Sequence, residues 1–280
     1  MSETPGRGPS AGDQVGTGWR AALPALMRKY LQQWSLRPDG AVINGNNAIV
    51  QPVRTPGGVP AMLRLAPPTP HSAHDWLALS LWDGDAAVRM FRHDLADGAL
   101  LLERLDHTRN LDTLPIDKAV VVAGTLRARL SRPAPTGIRT LQTEAQRWAQ
   151  ELAQASWLPK RITDEAMGIC RELGPGANGY LVNEDQHYHN ILAGHREPWL
   201  VIDPLVLAGD REFGLATLMW GRLEESTTDR ILDALIDTEG LDVDRARAWT
   251  FLGAAVKWMH SQGRVAHNCA TIVHALTSLN

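Results

Sequence analysis

The chain has 280 residues, 44% of them hydrophobic and 21% charged, with a formal net charge of −3. That length suits one large domain or two modest lobes, and the slightly acidic balance argues against a general nucleic-acid binder, which carries a basic surplus. No apolar run approaches the roughly 18 residues of a membrane span, so no membrane partner is expected.

Residues 1–18 are rich in Gly, Ser and Pro, lack the apolar stretch of a signal peptide, and are expected to form a disordered tail. Trp19, Leu23, Leu26, Met27, Tyr30, Leu31 and Trp34 then recur at helical spacing, which predicts an amphipathic helix over 19–35, bent or begun at Pro24. "AVINGNNAIVQPVRTPGGVPAMLRL" reads as three strands around turns at 44–47 and 55–58. "HSAHDWLALSLW" reads as a helix stopped near Asp83 and Gly84, and "AAVRMFRHD" and "GALLLERL" as two further strands. Together they make a small α+β unit over 19–105.

The polar stretch 106–114 is the expected boundary, with a mostly helical unit over 106–280. Helices are predicted at 116–131, 139–154 and 162–173, and three more between 212 and 280. "GPGANG" at 174–179 matches G-x-G-x-x-G. It follows a helix and precedes the strand "YLV", the reverse of the order a dinucleotide site needs, so it is read as an irregular connection. Cys170 and Cys269 are too few and too isolated for a disulfide framework or a Cys-rich zinc site. They read as buried thiols of a reducing compartment, and a cytoplasmic location is expected.

The chemistry gathers in "LVNEDQHYHNIL", 181–192, and in "WLVIDP", 199–204. If "ILA" and "WLVI" pair as a hairpin with Ile191 opposite Ile202, Asn190 falls opposite Asp203. An amide oxygen and a carboxylate so placed suit a hard cation such as Mg²⁺, with Asp185 close by as a base or orienting group. Phosphoryl transfer from ATP needs such an assembly, because holding the groups in line and offsetting phosphate charge is most of the catalysis. His187 and His189 form an H-x-H without a third ligand at zinc spacing.

Asp185-x-His187-x-x-Asn190 followed by Ile202-Asp203-Pro204 resembles the catalytic loop and metal-binding Asp of aminoglycoside-phosphotransferase-like kinases. The longer run through "GDREFGLATLMW" is similar to the streptomycin 6-kinase and hydroxyurea phosphotransferase branch, and "PAMLRL", "LALSLWDGDAAVRMF" and "GALLLERL" fit its small lobe. The resemblance implies a two-lobed protein-kinase-like α+β fold and an ATP- and Mg²⁺-dependent kinase. Its acceptor would be a hydroxyl on an aminoglycoside-like antibiotic or related polar natural product. It implies Asp185 as the catalytic carboxylate and Asn190 and Asp203 as Mg²⁺ ligands. It further implies "NGNN", with Asn46 and Asn47, over the ATP phosphates and backbone groups from Glu103 to Leu105 at the adenine.

The family's phosphate-binding Lys position is Arg64 here, and its Glu partner falls at Asp75. Its His two residues before the catalytic Asp is Asn183, and its Lys after the Asp-Pro pair is Leu205. Arg presents a planar fork where Lys presents a point charge, so the first change alters phosphate contact. A kinase-like binding protein that no longer transfers phosphate is the reading these departures leave open, as is a biosynthetic kinase acting on a nucleoside or sugar intermediate. The acid-rich segment 223–244, beginning with Glu224 and Glu225, reads either as a solvated helix face or as a rim for a cationic substrate. Trp148, Trp220, Trp249 and Trp258 sit at helical spacing with Leu and Ala, and read as core.

Overall fold

The computed structural model describes residues 11–45, 48–67 and 74–277, with side chains from Gly18 onward. The chain divides into two compact units.

The first unit takes the chain up to Trp76 and then Arg89–Arg104. It opens with α1 (Ala11–Gln33), which takes in residues 11–18 that composition assigns to the tail. Strands β1 (Arg37–Pro38), β2 (Ile43–Asn44), β3 (Ile49–Arg54) and β4 (Pro60–Leu65) follow. After the start of α2 (Asp75–Trp82) come β5 (Met90–Asp94) and β6 (Ala99–Glu103). The strands form one antiparallel sheet in the order β1-β3-β4-β6-β5, with β2 on β3. Strand alternation sends Ala61, Leu63 and Leu65 of β4 into the core and Met62 and Arg64 to the other face. Against that core pack Leu23 and Tyr30 of α1 and Trp34 just past its end, with Trp19, Leu26, Met27 and Leu31 partly buried beside them, the seven positions of the apolar stripe. A carboxylate fastens the helix to the sheet: Lys29 Nζ and Tyr30 Oη donate to Asp97 Oδ2 at 2.5 and 2.8 Å.

The second unit holds Leu77–Val88 and everything from Leu105 on. The single boundary read from sequence does not anticipate the first segment, whose polar ties are its reason. Trp82 Nε1 donates to the Leu130 carbonyl at 2.9 Å, Val88 N–H to that of Val201 at 2.8 Å, and Asp85 takes both Arg129 and Arg132. The polar stretch expected as a boundary forms a strand, β7 (Asp106–Asn110), because edge pairing uses the backbone and leaves polar side chains in solvent. Then come α3 (Ile116–Leu130), β8 (Arg132–Pro133), α4 (Leu141–Gln154) and α5 (Lys160–Leu173). Four short strands follow, β9 (Tyr180–Asn183), β10 (Ile191–Ala193), β11 (Trp199–Val201) and β12 (Val206–Gly209). The chain ends in α6 (Ala216–Trp220), α7 (Thr228–Glu239), α8 (Val243–Met259) and α9 (Gly263–Leu276). Thr140, Thr227 and Asp242 cap α4, α7 and α8 by accepting N–H bonds three residues on. The strands make two three-stranded sheets, β11-β10-β7 and β12-β9-β8. A buried ion pair, Arg127 Nε to Glu239 Oε1 at 2.9 Å, ties α3 to α7. The same guanidinium donates to the carbonyls of Arg211 and Phe213, so it also anchors the segment after β12. No helix among the described residues is long and apolar enough to cross a membrane.

Candidate active site

"GPGANG" enters from α5 and leaves into β9, the order read from the sequence. Asn183 closes β9 with its side chain buried. Its Oδ1 accepts from the N–H of Asp185 at 3.2 Å and of Leu205 at 3.1 Å, so one amide holds both the loop bearing Asp185 and the segment just after Asp203. Glu184 N–H donates to the Leu205 carbonyl at 2.9 Å beside the β9–β12 ladder. The loop then closes on itself: the Asp185 carbonyl accepts from His187 N–H at 2.9 Å and from Asn190 Nδ2 at 3.0 Å. Gly214, at φ +91°, fits a space where a Cβ would come within 3.3 Å of the Asn183 carbonyl and of Arg127.

The hairpin register differs from the expected one by a residue. Ile191 pairs with Val201, and Ile202 N–H donates to the Asn190 carbonyl at 2.8 Å. Ile191 and Val201 are both fully buried, and opposed residues share a face, so burial selects this register. Asp203 therefore lies one residue past the pair, where it takes φ +47°. For a non-glycine residue this costs on the order of 1–3 kcal/mol and is met most often at functional sites. With Asn190 Nδ2 committed to the Asp185 carbonyl, Oδ1 is the end offered to a cation. An amide oxygen and a carboxylate make a donor set suited to Mg²⁺.

Asp185 is half exposed, with His187 Nε2 3.9 Å from its Oδ2. Burial raises the Asp185 pKa above the usual carboxylate range, His187 and Lys257 pull it back, and Asp203 pushes it further up. Burial lowers that of His187. A carboxylate held up in this way is a better proton acceptor than a fully solvated one. Among the described residues no group of three or more His, Cys, Asp or Glu is arranged to hold a metal.

Glu184 turns the other way and lines a cavity of about 300 Å³ in the second unit. Arg139 pairs with Glu184, Thr217 Oγ1 donates to its carbonyl, and burial raises its pKa. Trp148, Phe213 and Trp220 supply aromatic walls, Lys257 comes from the last turn of α8, and His260 from the residue that ends it. Arg147 lies over the Trp148 ring at 5.9 Å and Lys257 over that of Trp220 at 5.4 Å. Glu224 and Glu225 are not among the residues that line it. Arg264 takes Glu224 at 2.5 Å and Arg222 takes Glu225 at 2.6 Å. The sequence reading missed Glu184, Lys257 and this cavity. The scarcity of lysine was the available signal, since Lys257 is one of only four.

In the first unit the structure joins two predicted partners. Arg64 Nη2 and Asp75 Oδ2 stand 3.2 Å apart, both side chains largely buried. Gly45 N–H donates to the Ala48 carbonyl and closes the "NGNN" turn, while Asn46 and Asn47 lie outside the described residues. Glu103 ends β6, where its carboxylate accepts from Arg89 N–H at 3.1 Å. Leu105 is buried in the second unit.

The profile of the aminoglycoside/hydroxyurea antibiotic resistance kinase family matches residues 33–263. A streptomycin 6-kinase from Streptomyces glaucescens is 36% identical over 253 residues, 85% of this chain and 82% of its own. A hydroxyurea phosphotransferase from Kitasatospora aureofaciens is 36% identical over 269 residues, 92% of this chain and 75% of its own. Among solved structures, a spectinomycin phosphotransferase in complex with ADP and spectinomycin aligns over 90% of this chain and 98% of its own. Its TM-score is 0.56 at 12% identity, a likeness of fold. The chain belongs to the aminoglycoside/hydroxyurea antibiotic resistance kinase family and is a small-molecule kinase of the protein-kinase-like α+β fold.

Proposed function

We propose that the chain transfers the terminal phosphoryl group of ATP to a hydroxyl of an antibiotic-type polar small molecule, with Asp185 accepting or orienting the hydroxyl proton. The observation that carries this is the loop itself: Asn183 fixes the backbone of Asp185 from behind, leaving a half-exposed carboxylate whose pKa burial holds up. Asn190 and Asp203 would hold Mg²⁺, which when bound offsets phosphate charge. Arg64, braced by Asp75, would meet the phosphates bidentately. Asn46 and Asn47 would cover them, and backbone groups at Glu103 to Leu105 would meet the adenine. The cavity beside Glu184 would take the acceptor, with Glu224 and Glu225 outside it. An intact Arg64–Asp75 pair supports an active enzyme over a decayed one.

One observation favours a neutral acceptor over a strongly cationic one. Two tryptophan faces of the cavity already carry the chain's own cations, and its carboxylate is already paired with Arg139. ADP release from Mg-ATP with streptomycin or hydroxyurea as acceptor tests both points. Acceptor-dependent release is expected from the wild type and not from Asp185→Asn. Equal release from the two overturns the kinase assignment. A wild type that prefers streptomycin, with the preference unchanged in Lys257→Glu, overturns the neutral reading alone.

A further inference from the structure

Behind the catalytic loop, between α3 and β9, lies a second and much smaller cavity of about 20 Å³. Asn183, Gln186, Arg127, Ser131, Arg211 and Glu239 are among its lining residues. Two of these flank Asp185 in the chain, and each brings one buried polar atom with no hydrogen-bond partner in the protein, Asn183 Nδ2 and Gln186 Oε1. Which end of each amide faces the cavity is fixed by the bonds at the other end. Asn183 Oδ1 is engaged by the N–H groups of Asp185 and Leu205, and Gln186 Nε2 donates to the Ala123 carbonyl at 3.3 Å. A donor and an acceptor therefore face one space.

The occupant must accept from one amide and donate to the other. A monatomic anion cannot donate to Gln186, a metal cation cannot accept from Asn183, and a protonated oxyanion is too large for the space. The volume selects among neutral molecules, since a site for one water needs roughly 10–15 Å³ and this one is little larger. A buried amide group left without a partner is costly, so two of them in one hole supply the drive to fill it. The charged lining is already engaged: Arg127 with Glu239, and Arg211 Nη2 with the Glu239 carbonyl at 2.9 Å.

We infer that one ordered water, accepting from Asn183 Nδ2 and donating to Gln186 Oε1, is a fixed part of the catalytic loop, and that Asn183 and Gln186 are positioning residues for Asp185. Through its other end the Asn183 amide reaches the Asp185 N–H and the segment beyond Asp203, so the water stiffens the mount of both carboxylates. This rests on the proposed role of Asp185 only for its kinetic consequence, not for the site.

A crystal structure of the full chain at a resolution that places solvent tests the site. Electron density for one water within hydrogen-bond reach of both atoms is expected, and an empty or protein-filled space overturns the inference whatever the enzyme does. Kinetics test the positioning role, with ADP release from Mg-ATP and either streptomycin or hydroxyurea as the probe. Gln186→Leu should lower kcat about tenfold with the KM for ATP unchanged, since small misplacement of a reacting group is costly. In an Asp185→Asn background the same change should have no further effect. Wild-type kcat in Gln186→Leu, or an equal loss in both backgrounds, overturns the positioning role. If Gln186→Leu fails to fold, the crystal structure alone decides.

Discussion

Two carboxylates on loops show how differently the two units treat charge. At the corner of the first unit, Lys29 and Tyr30 donate directly to Asp97, and those hydrogen bonds hold its pKa below the usual range. In the second unit burial moves Asp185 in the opposite direction, and the side chain 3.9 Å away is a histidine that burial itself pushes toward its neutral form. Around it Asn183, Gln186, His187 and Tyr188 each hold a buried polar atom without a protein partner. The first corner satisfies its charge and gains stability. The second leaves polar capacity unspent, as expected where a group must change protonation or meet a ligand.

The largest effect that could break this contrast comes from Asp185→Asn. Turnover should fall by about 10²- to 10⁴-fold, the usual share of a general base. Its folded pKa is raised, so its contribution to stability is present in acid and lost as pH rises through the folded value. The variant should therefore melt at or above the wild-type temperature at neutral pH, and calorimetry showing a marked drop would count against a strained carboxylate. Next comes Arg127→Ala, which strands the buried Glu239 and should cost about 3–5 kcal/mol in denaturant unfolding. A loss near zero would mean that this ion pair braces nothing. A smaller effect is expected for Asp97→Asn. Its depressed pKa gives stability that is full above the ordinary carboxylate pKa and lost as pH falls through the lower folded one. The variant should melt lower than the wild type at neutral pH, and the two curves should converge in acid. Last, burial pushes the Cys170 thiol up to about 11 and that of Cys269 up to about 12. Neither should be alkylated by iodoacetamide at neutral pH in the folded chain, as read by mass spectrometry.

Local patterns in the sequence were legible wherever one face of an element is buried. The α1 stripe is a case in point: the residues that recur at helical spacing are those packed on the sheet. That Asn190 and Asp203 sit at the open end of one hairpin was legible too, because two β-prone runs flank a turn-rich stretch. The hairpin register was not. Strand alternation alone does not say whether Val201 or Ile202 opposes Ile191, and burial from outside the hairpin decides it. Strands β7 and β8 escaped because their polar or two-residue stretches pair through backbone with no side-chain signature. Glu184 and Gln186 escaped for another reason. Their roles depend on Arg139, Ala123 and Arg127, tens of residues away along the chain.

The discontinuous path of the first unit has a practical corollary for dissection. A fragment ending at Arg104 would still carry Leu77–Val88, and with it the apolar surfaces of Leu79, Trp82, Ala87 and Val88 that belong to the other unit. Without Leu130 and Val201 to receive them, these surfaces would lie open to solvent and to one another. A fragment starting at Leu105 would lack that same segment, so Arg129 and Arg132 would lose Asp85. Neither half is a clean excision; separating the units means cutting the chain at each of the three places where it passes between them, after Trp76, Val88 and Arg104, not once.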